Sequence, residues 1–440
     1  MLQPEAAVEI CQELLSMRRN DSEPLELLRS YWLGTQDLPV VPTAVPAEVK
    51  RMAEMSRINM CGLVVNVPAQ SMAVVGIRDE ETPDVAAQVW EAWQANKMDA
   101  HQAPIHRACL GYGTSYLRVL PGRPYPVMRG RSPRQVTTAY GSDPDWPEYA
   151  LERIDARGGA IFELYDRTHI YRFEEQKGEI DQPSTPKFLT AVEHGSPETP
   201  FVRYTNLEDL EHTPHSEITP VIPLQDQLDL TTFNMLVAQH YGAFRQRYAI
   251  GWLAESEDQK MKAAITRMQT FEDPDVKVGE FGQTDLAGYL DSRKATIEHM
   301  GVVSQVPPHN LIGQMVNLSA EALVAAEVGS NRKKDDRETS VGESHEQALW
   351  LTGKQMGITL SRSAQVRWKE TEARSLAQTV DALGKMVQML GVPAEAAWER
   401  IPGVTKQDVD AWKALRANDA INDLFAGLDR QTQPEPAPAA

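Results

Sequence analysis

His212-Thr213-Pro214-His215, flanked by Glu211 and Glu217, is the closest approach to a metal-ligand set in the sequence. Imidazole and carboxylate groups are apt zinc donors. The proline between the histidines and the acidic surroundings instead fit a plain surface loop. His101 and His106 are five apart at an expected helix-to-strand junction, and they carry the same plain reading. Gly353-Lys354 and Gly384-Lys385 lack both the upstream glycine and the following Ser or Thr of a phosphate loop. Gly111-Tyr112-Gly113 lacks the third glycine of a dinucleotide loop, and neither G-x-S-x-G nor H-E-x-x-H occurs. Cys11, Cys61 and Cys109 are odd in number and widely spaced, which fits neither a disulfide framework nor a zinc site. Three buried thiols in a reducing compartment are expected. The residues therefore point to no catalytic group, no metal and no cofactor.

The charge balance narrows the function further. Forty-four Lys and Arg against 62 Asp and Glu give a net charge of −18 over 440 residues. A protein that holds nucleic acid by bulk attraction must place cations on phosphates, so this acidity argues against one that grips DNA or RNA. It does not exclude one that lets nucleic acid slide past. The charge is also unevenly laid out. Residues 101–140 hold six arginines and no acid, whereas 141–220 hold 17 acids and 7 bases. The arginines either pair with those acids or stand solvated at the surface. No run approaches the roughly 18 apolar residues of a membrane helix. The first twenty residues mix acids with apolar groups and have no signal-peptide core.

At roughly 150 residues per domain, about three compact units are expected. Residues 1–35 read as a short acidic helix and a linking segment, followed by Pro-spaced extended chain at Leu38–Pro42. Helical spacing returns over 46–60 and 85–96, with an apolar, strand-like run at Met72–Ile77. Both 101–140 and 141–220 read as strands and turns, an antiparallel and partly exposed β unit, with Thr114–Leu120 and Ile161–Tyr165 as its clearest strands. After Pro223, apolar residues recur at helical spacing to Tyr248, a helix of about 30 Å at 1.5 Å per residue. A short acidic excursion follows over 250–283, then a second helix to Ser304 and a non-helical loop over 305–318. From Ser319 the pattern stays helical to about Leu376, with a charged middle at Asn331–Ser340 that is either solvated or faces another polar surface. Shorter helices and a Pro/Ala-rich tail over 431–440, expected to be disordered, complete the chain. The helix, excursion and returning helix form either a projecting stalk or an ordinary antiparallel pair.

Four segments, in order, carry a resemblance to the portal (head-to-tail connector) proteins of tailed bacteriophages, of the type found in siphophages of actinobacteria. They are Asn66–Ile77; Gly111–Val119; Pro307-Pro308-His309 with Leu318–Leu323; and Ser375–Ala382 with Gly391-Val392-Pro393 and Pro402–Thr405. Similarity extends over about residues 25–430. The approach Glu211–Pro220 departs from the family pattern, lacking its glycine before a P-V-I-P-like strand.

The resemblance implies an α+β portal fold. Its α/β wing would occupy 1–222, helical stem segments 223–249 and 284–304, and a small αβ clip 250–283. A tunnel loop would span 305–318, a long kinked wing helix 319–370, and a helical crown 371–430. It further implies a ring, expected to be a dodecamer, at one capsid vertex of the virion, assembled in the host bacterial cytoplasm. Double-stranded DNA would be packaged and ejected through it. Terminase, a head-completion or adaptor protein, and the major capsid and scaffolding proteins would be partners, with no membrane and no enzymatic activity. The tunnel loop has neither acid nor Lys or Arg. Its Gln305, His309, Asn310, Gln314 and Asn317 could touch phosphates transiently or merely pack on a neighbour, while Pro307 and Pro308 would shape it. Another head-morphogenesis adaptor without a stem, or a host enzyme with an unrecognised site, are the alternatives.

Overall fold

A computed structural model of the protein describes residues 1–40, 45–156, 159–175, 186–243, 247–250, 277–280, 285–312, 320–369, 376–398, 400–401, 404 and 408–416. Helix α1 (Pro4–Leu33) is far longer than the short helix expected and passes through Pro24. Two unlike surfaces hold its halves. Ala7, Cys11 and Leu14, at helical spacing, pack on aromatic and aliphatic residues of a sheet that include Phe162, Tyr171 and Phe173. Leu28, Tyr31 and Trp32 pack on the main core instead. The helix stops at Gly34 (φ 71°), a left-handed position that glycine adopts without strain, where Thr35 N–H donates to Ser30 C=O at 2.7 Å. Asn59 then donates to Trp32 C=O and accepts from Gly62 N–H, both at 2.8 Å, tying that end to the next helices.

Helices α2 (Ala47–Ser56) and α3 (Cys61–Ser71) lead into strand β1 (Val74–Arg78), followed by α4 (Pro83–Ala95) and α5 (Met98–Tyr112). One of these corrects the sequence reading. Residues 98–112 are helical rather than extended, so His101 and His106 both lie inside α5. Val64 and Val65, β-branched and fully buried, sit on α3 because core burial outweighs their modest strand preference.

The β region forms two antiparallel sheets. Strands β2 (Thr114–Leu120), β3 (Val127–Arg131) and β9 (Phe201–Thr205) give the order β3-β2-β9. Strands β4 (Val136–Tyr140), β5 (Pro147–Ala156), β6 (Gly159–Tyr165), β7 (His169–Glu175) and β8 (Pro186–Glu193) form a meander in sequence order. Tyr116 and Phe201 from the first sheet meet Val136, Ala150 and Tyr165 from the second. Between the sheets, Arg118 and Arg131 both bond Glu152, which is 3% exposed. Arg118 also donates to the Tyr165 hydroxyl at 3.1 Å, and that hydroxyl lies 2.6 Å from Glu163 Oε2. Two of the six arginines of 101–140 thus pair inside the molecule with the acidic stretch that follows.

A 3-10 turn (Thr219–Val221) opens α6 (Ile222–Ala243). Strands β10 (Arg247–Ile250) and β11 (Lys277–Glu280) pair antiparallel beyond it, and α7 (Ala287–Ser304) packs back against α6. The end of α7 meets the turn that starts α6, so the two helices run antiparallel. The five-residue α8 (Pro308–Ile312) interrupts what was expected to be a non-helical loop. Proline is well placed there, because its missing N–H would lack an intrahelical partner at a helix start anyway.

Helix α9 (Ala320–Gln355) runs unbroken through Gly329, Gly342 and Gly353. It ends at Gln355, short of the expected Leu376, because the chain turns at Gly357 (φ 76°) and returns as β12 (Gln365–Trp368), paired with β1. Helices α10 (Leu376–Leu390), α11 (Ala394–Trp398) and the helical residues 408–416 follow, with Trp398 and Trp412 edge to face at 5.9 Å.

Candidate functional site at the root of the helix pair

Every element that could position a working segment converges where α6 begins, α7 ends and α9 passes. Ser304 closes α7, its hydroxyl folded back on Met300 C=O at 2.6 Å. Gln305 follows in a left-handed conformation (φ 54°) and donates its N–H to Val302 C=O. Val306 and Pro307 are buried, and α8 is fixed by buried Leu311 and by Asn310 N–H donating to Pro307 C=O at 2.9 Å. This leaves Gln305 and Asn310 exposed and His309 half-buried on one short, tethered segment. Gln314 and Asn317 lie outside the described residues. So does most of the 250–283 excursion and all of the 431–440 tail.

The anchor beneath this segment is ionic and buried. Lys333 Nζ donates to Glu217 Oε2 at 2.6 Å and to Ser304 C=O at 2.8 Å. Arg337 Nε donates to Glu217 Oε1 at 2.9 Å. The three side chains are 3–7% exposed. Burial by itself raises the Glu217 carboxyl, but Lys333 and then Arg337 override it and hold it below the usual range, so it stays ionised. Arg337 also bonds Asp336 at the surface, which offsets the triad's extra positive charge. Lys333 does double duty, since a cation at a helix C-terminus is also favoured by the helix dipole. One helical turn further on, burial raises Glu338 to about 7 despite Lys334 at 3.8 Å.

A second polar cluster lies on the same buried stripe of α9. His345 and His106 bring their Nε2 atoms to 2.8 Å, His106 Nδ1 is 3.2 Å from Met72 C=O, and the Tyr204 hydroxyl is 2.9 Å from His345 Nδ1. A carbonyl only accepts, so His106 carries its proton on Nδ1 and accepts at Nε2. His345 then donates from Nε2 and accepts from Tyr204. Every ring nitrogen is satisfied with both imidazoles neutral. Burial drives His106 down to about 4, and burial plus His106 drive His345 well below 6.5.

The metal-like set does not assemble. Glu217 is taken up by Lys333 and Arg337, while His215 faces Asp209 at 3.0 Å and His212 faces Glu208 at 3.4 Å. Among the described residues no group of three or more His, Cys, Asp or Glu could hold a metal ion, and no helix is long and apolar enough to cross a membrane. All three cysteines are buried and unpaired, and burial pushes the Cys11 and Cys61 thiols to about 12.

The sequence reading missed Glu217, Lys333, Arg337 and His345 as one system, although a signal was present. Positions 333, 337, 341, 345, 349 and 352 fall on one helical stripe, and all are buried. Extending the apolar stripe of Val341 and Leu349 backwards leads into Arg337 and Lys333, which therefore face the interior.

The chain is similar to several known proteins. Portal proteins of Mycobacterium phage D29 and Mycobacterium phage L5 are each 24% identical, over 404 and 412 residues, covering 85% of this chain and 81% of theirs. A solved structure described as the neck of a native gene transfer agent particle, computed with C12 symmetry, overlaps 82% of this chain and 95% of its own, at 13% identity and a TM-score of 0.49. Residues 24–421 match the family described as phage portal protein, SPP1 Gp6-like. That match takes in both sheets, the helix pair and the long helix, and the chain belongs to this phage portal protein family.

Proposed function

We propose that the protein assembles into a ring, of twelve subunits, at one capsid vertex and forms the conduit through which double-stranded DNA is packaged and later ejected. The observation that carries this is the family match over 24–421, which spans the α6–α7 hairpin and its buried root. In this reading 1–222 and 319–370 form the wing, and 223–249 with 284–304 the stem. Residues 250–283 form the clip that docks terminase and afterwards a head-completion protein. Residues 371–430 form the crown. Capsid and scaffolding proteins surround the ring, which is built in the host cytoplasm and stays in the virion. The role is structural, and terminase supplies the motor.

The segment 305–318 then lies at the channel. Its polar groups carry no fixed charge, which suits contact without retention, because each phosphate neutralised by a fixed cation would add to affinity through released counterions. Electron microscopy of the purified protein should show rings with a central hole, and particles that stay monomeric would refute the reading. With His309→Asp and Asn310→Asp combined, rings should form while DNA packaging falls by an order of magnitude or more. Undiminished packaging would remove the loop from the channel.

A further inference from the structure

The geometry points to a groove of about 790 Å³, between the β4–β5 turn, β9 and α9, as the seat of an arginine-bearing edge of a second copy of this chain. This rests on the ring reading. The groove combines two features that favour guanidinium groups. Its floor is aromatic, with Trp146 and Trp350 edge to face at 5.9 Å. The Trp350 ring already has Arg362 at 4.8 Å and Lys354 at 5.4 Å from its centroid, so it is a surface on which cations rest. Its walls are acidic and incompletely neutralised. Arg167 pairs with Glu198 and Arg203 with Glu208. Asp143, Asp145, Glu148, Glu343 and Glu346 line the same groove and form no salt bridge among the described residues. Burial raises the Glu346 carboxyl, and Glu343 beside it raises it further, as expected where acids face one another without a cation.

The same chain carries the complementary surface. From Ala100 to Ser142 there is no acid at all. Within it lie the outer strand β3 and the turn before it, where Arg123 and Arg129 are exposed and form no salt bridge among the described residues. The two surfaces share no residue, so one copy can offer its arginines to the next while its own groove receives another's. Such a head-to-tail contact forms a ring when the rotation it sets between neighbours closes.

The test is a charge swap in the full-length protein, read by sedimentation velocity and mass photometry beside the unmodified chain. Glu343→Lys with Asp145→Lys, and separately Arg123→Glu with Arg129→Glu, should each raise the subunit concentration needed for assembly at least tenfold. All sit on exposed positions, and circular dichroism with thermal melting confirms folding. All four changes in one chain should restore rings. Rings that persist in both reversed proteins overturn the inference and leave the ring reading intact. Loss in both without recovery in the combined chain overturns the pairing of these two surfaces. An unmodified chain that never assembles overturns the ring reading together with it.

Discussion

On the same face of α9, with Lys333 twelve residues before His345, two buried polar clusters solve one problem in opposite ways. Around Glu217 the charges are kept and neutralise one another. Around His106 and His345 the charges are removed, and each ring hands one proton along a chain that ends on a carbonyl. The first plan joins three separate stretches of chain but fails badly if any partner is lost. The second joins α5, β9, α9 and the Met72 carbonyl just before β1, and weakens when a proton is added. The difference suggests that the ionic cluster serves where segments must be held at a defined relative position, and the neutral cluster where a dry core need only be filled without unsatisfied atoms.

The largest effect should come from Glu217→Gln. It leaves Lys333 buried without a counter-charge and Arg337 with only Asp336 at the surface, a class of change that destabilises by about 3–5 kcal/mol. Chemical denaturation should register this, and replacing all three ionic residues with Met should recover most of it. Recovery would show that the triad sets position more than net stability, whereas a further loss would erase the contrast drawn above. Next comes acid sensitivity. The two imidazoles have folded pKa values below 6.5, so the unfolded chain binds more protons, and their contribution is lost as pH falls from about 6.5 through about 4. Glu338, raised to about 7, works in reverse and weakens the fold as pH rises from 4.5 through 7. With two histidines against one glutamate, stability should rise from pH 4 to 6.5. His106→Gln with His345→Gln should flatten that slope. An unchanged slope would mean the pair is not the titrating element. The smallest effect is local. Gln305 holds φ 54°, so Gln305→Gly should stabilise by up to about 1 kcal/mol in thermal melts while leaving the ion triad untouched.

The sequence disclosed what short-range patterns encode. Thr114–Leu120 was readable as a strand and the α6–α7 pair as helices, because alternation and helical spacing are local properties. It concealed what depends on distant partners. Glu217 looked like part of a loop with His212 and His215 because its cations are 116 and 120 residues away. His106 reads as an ordinary residue at a helix-to-strand junction, but it is fully buried and its partner lies 239 residues on. The long α1 was hidden by Pro24, which signals a break unless two separate surfaces hold the helix on either side. Among the loop residues singled out, Gln305, His309 and Asn310 do share one short segment, but nothing in their spacing announced α8.

Lys333 grips both roots of the hairpin at once, Glu217 just before α6 and Ser304 at the end of α7. Mechanically this makes the helix pair a lever held at its base. At 1.5 Å per residue, α6 runs about 33 Å from that clamp, braced by α2 along Phe233, Leu236 and Val237. A load carried down either helix reaches Lys333, and with it the end of α7 from which Gln305 and α8 emerge.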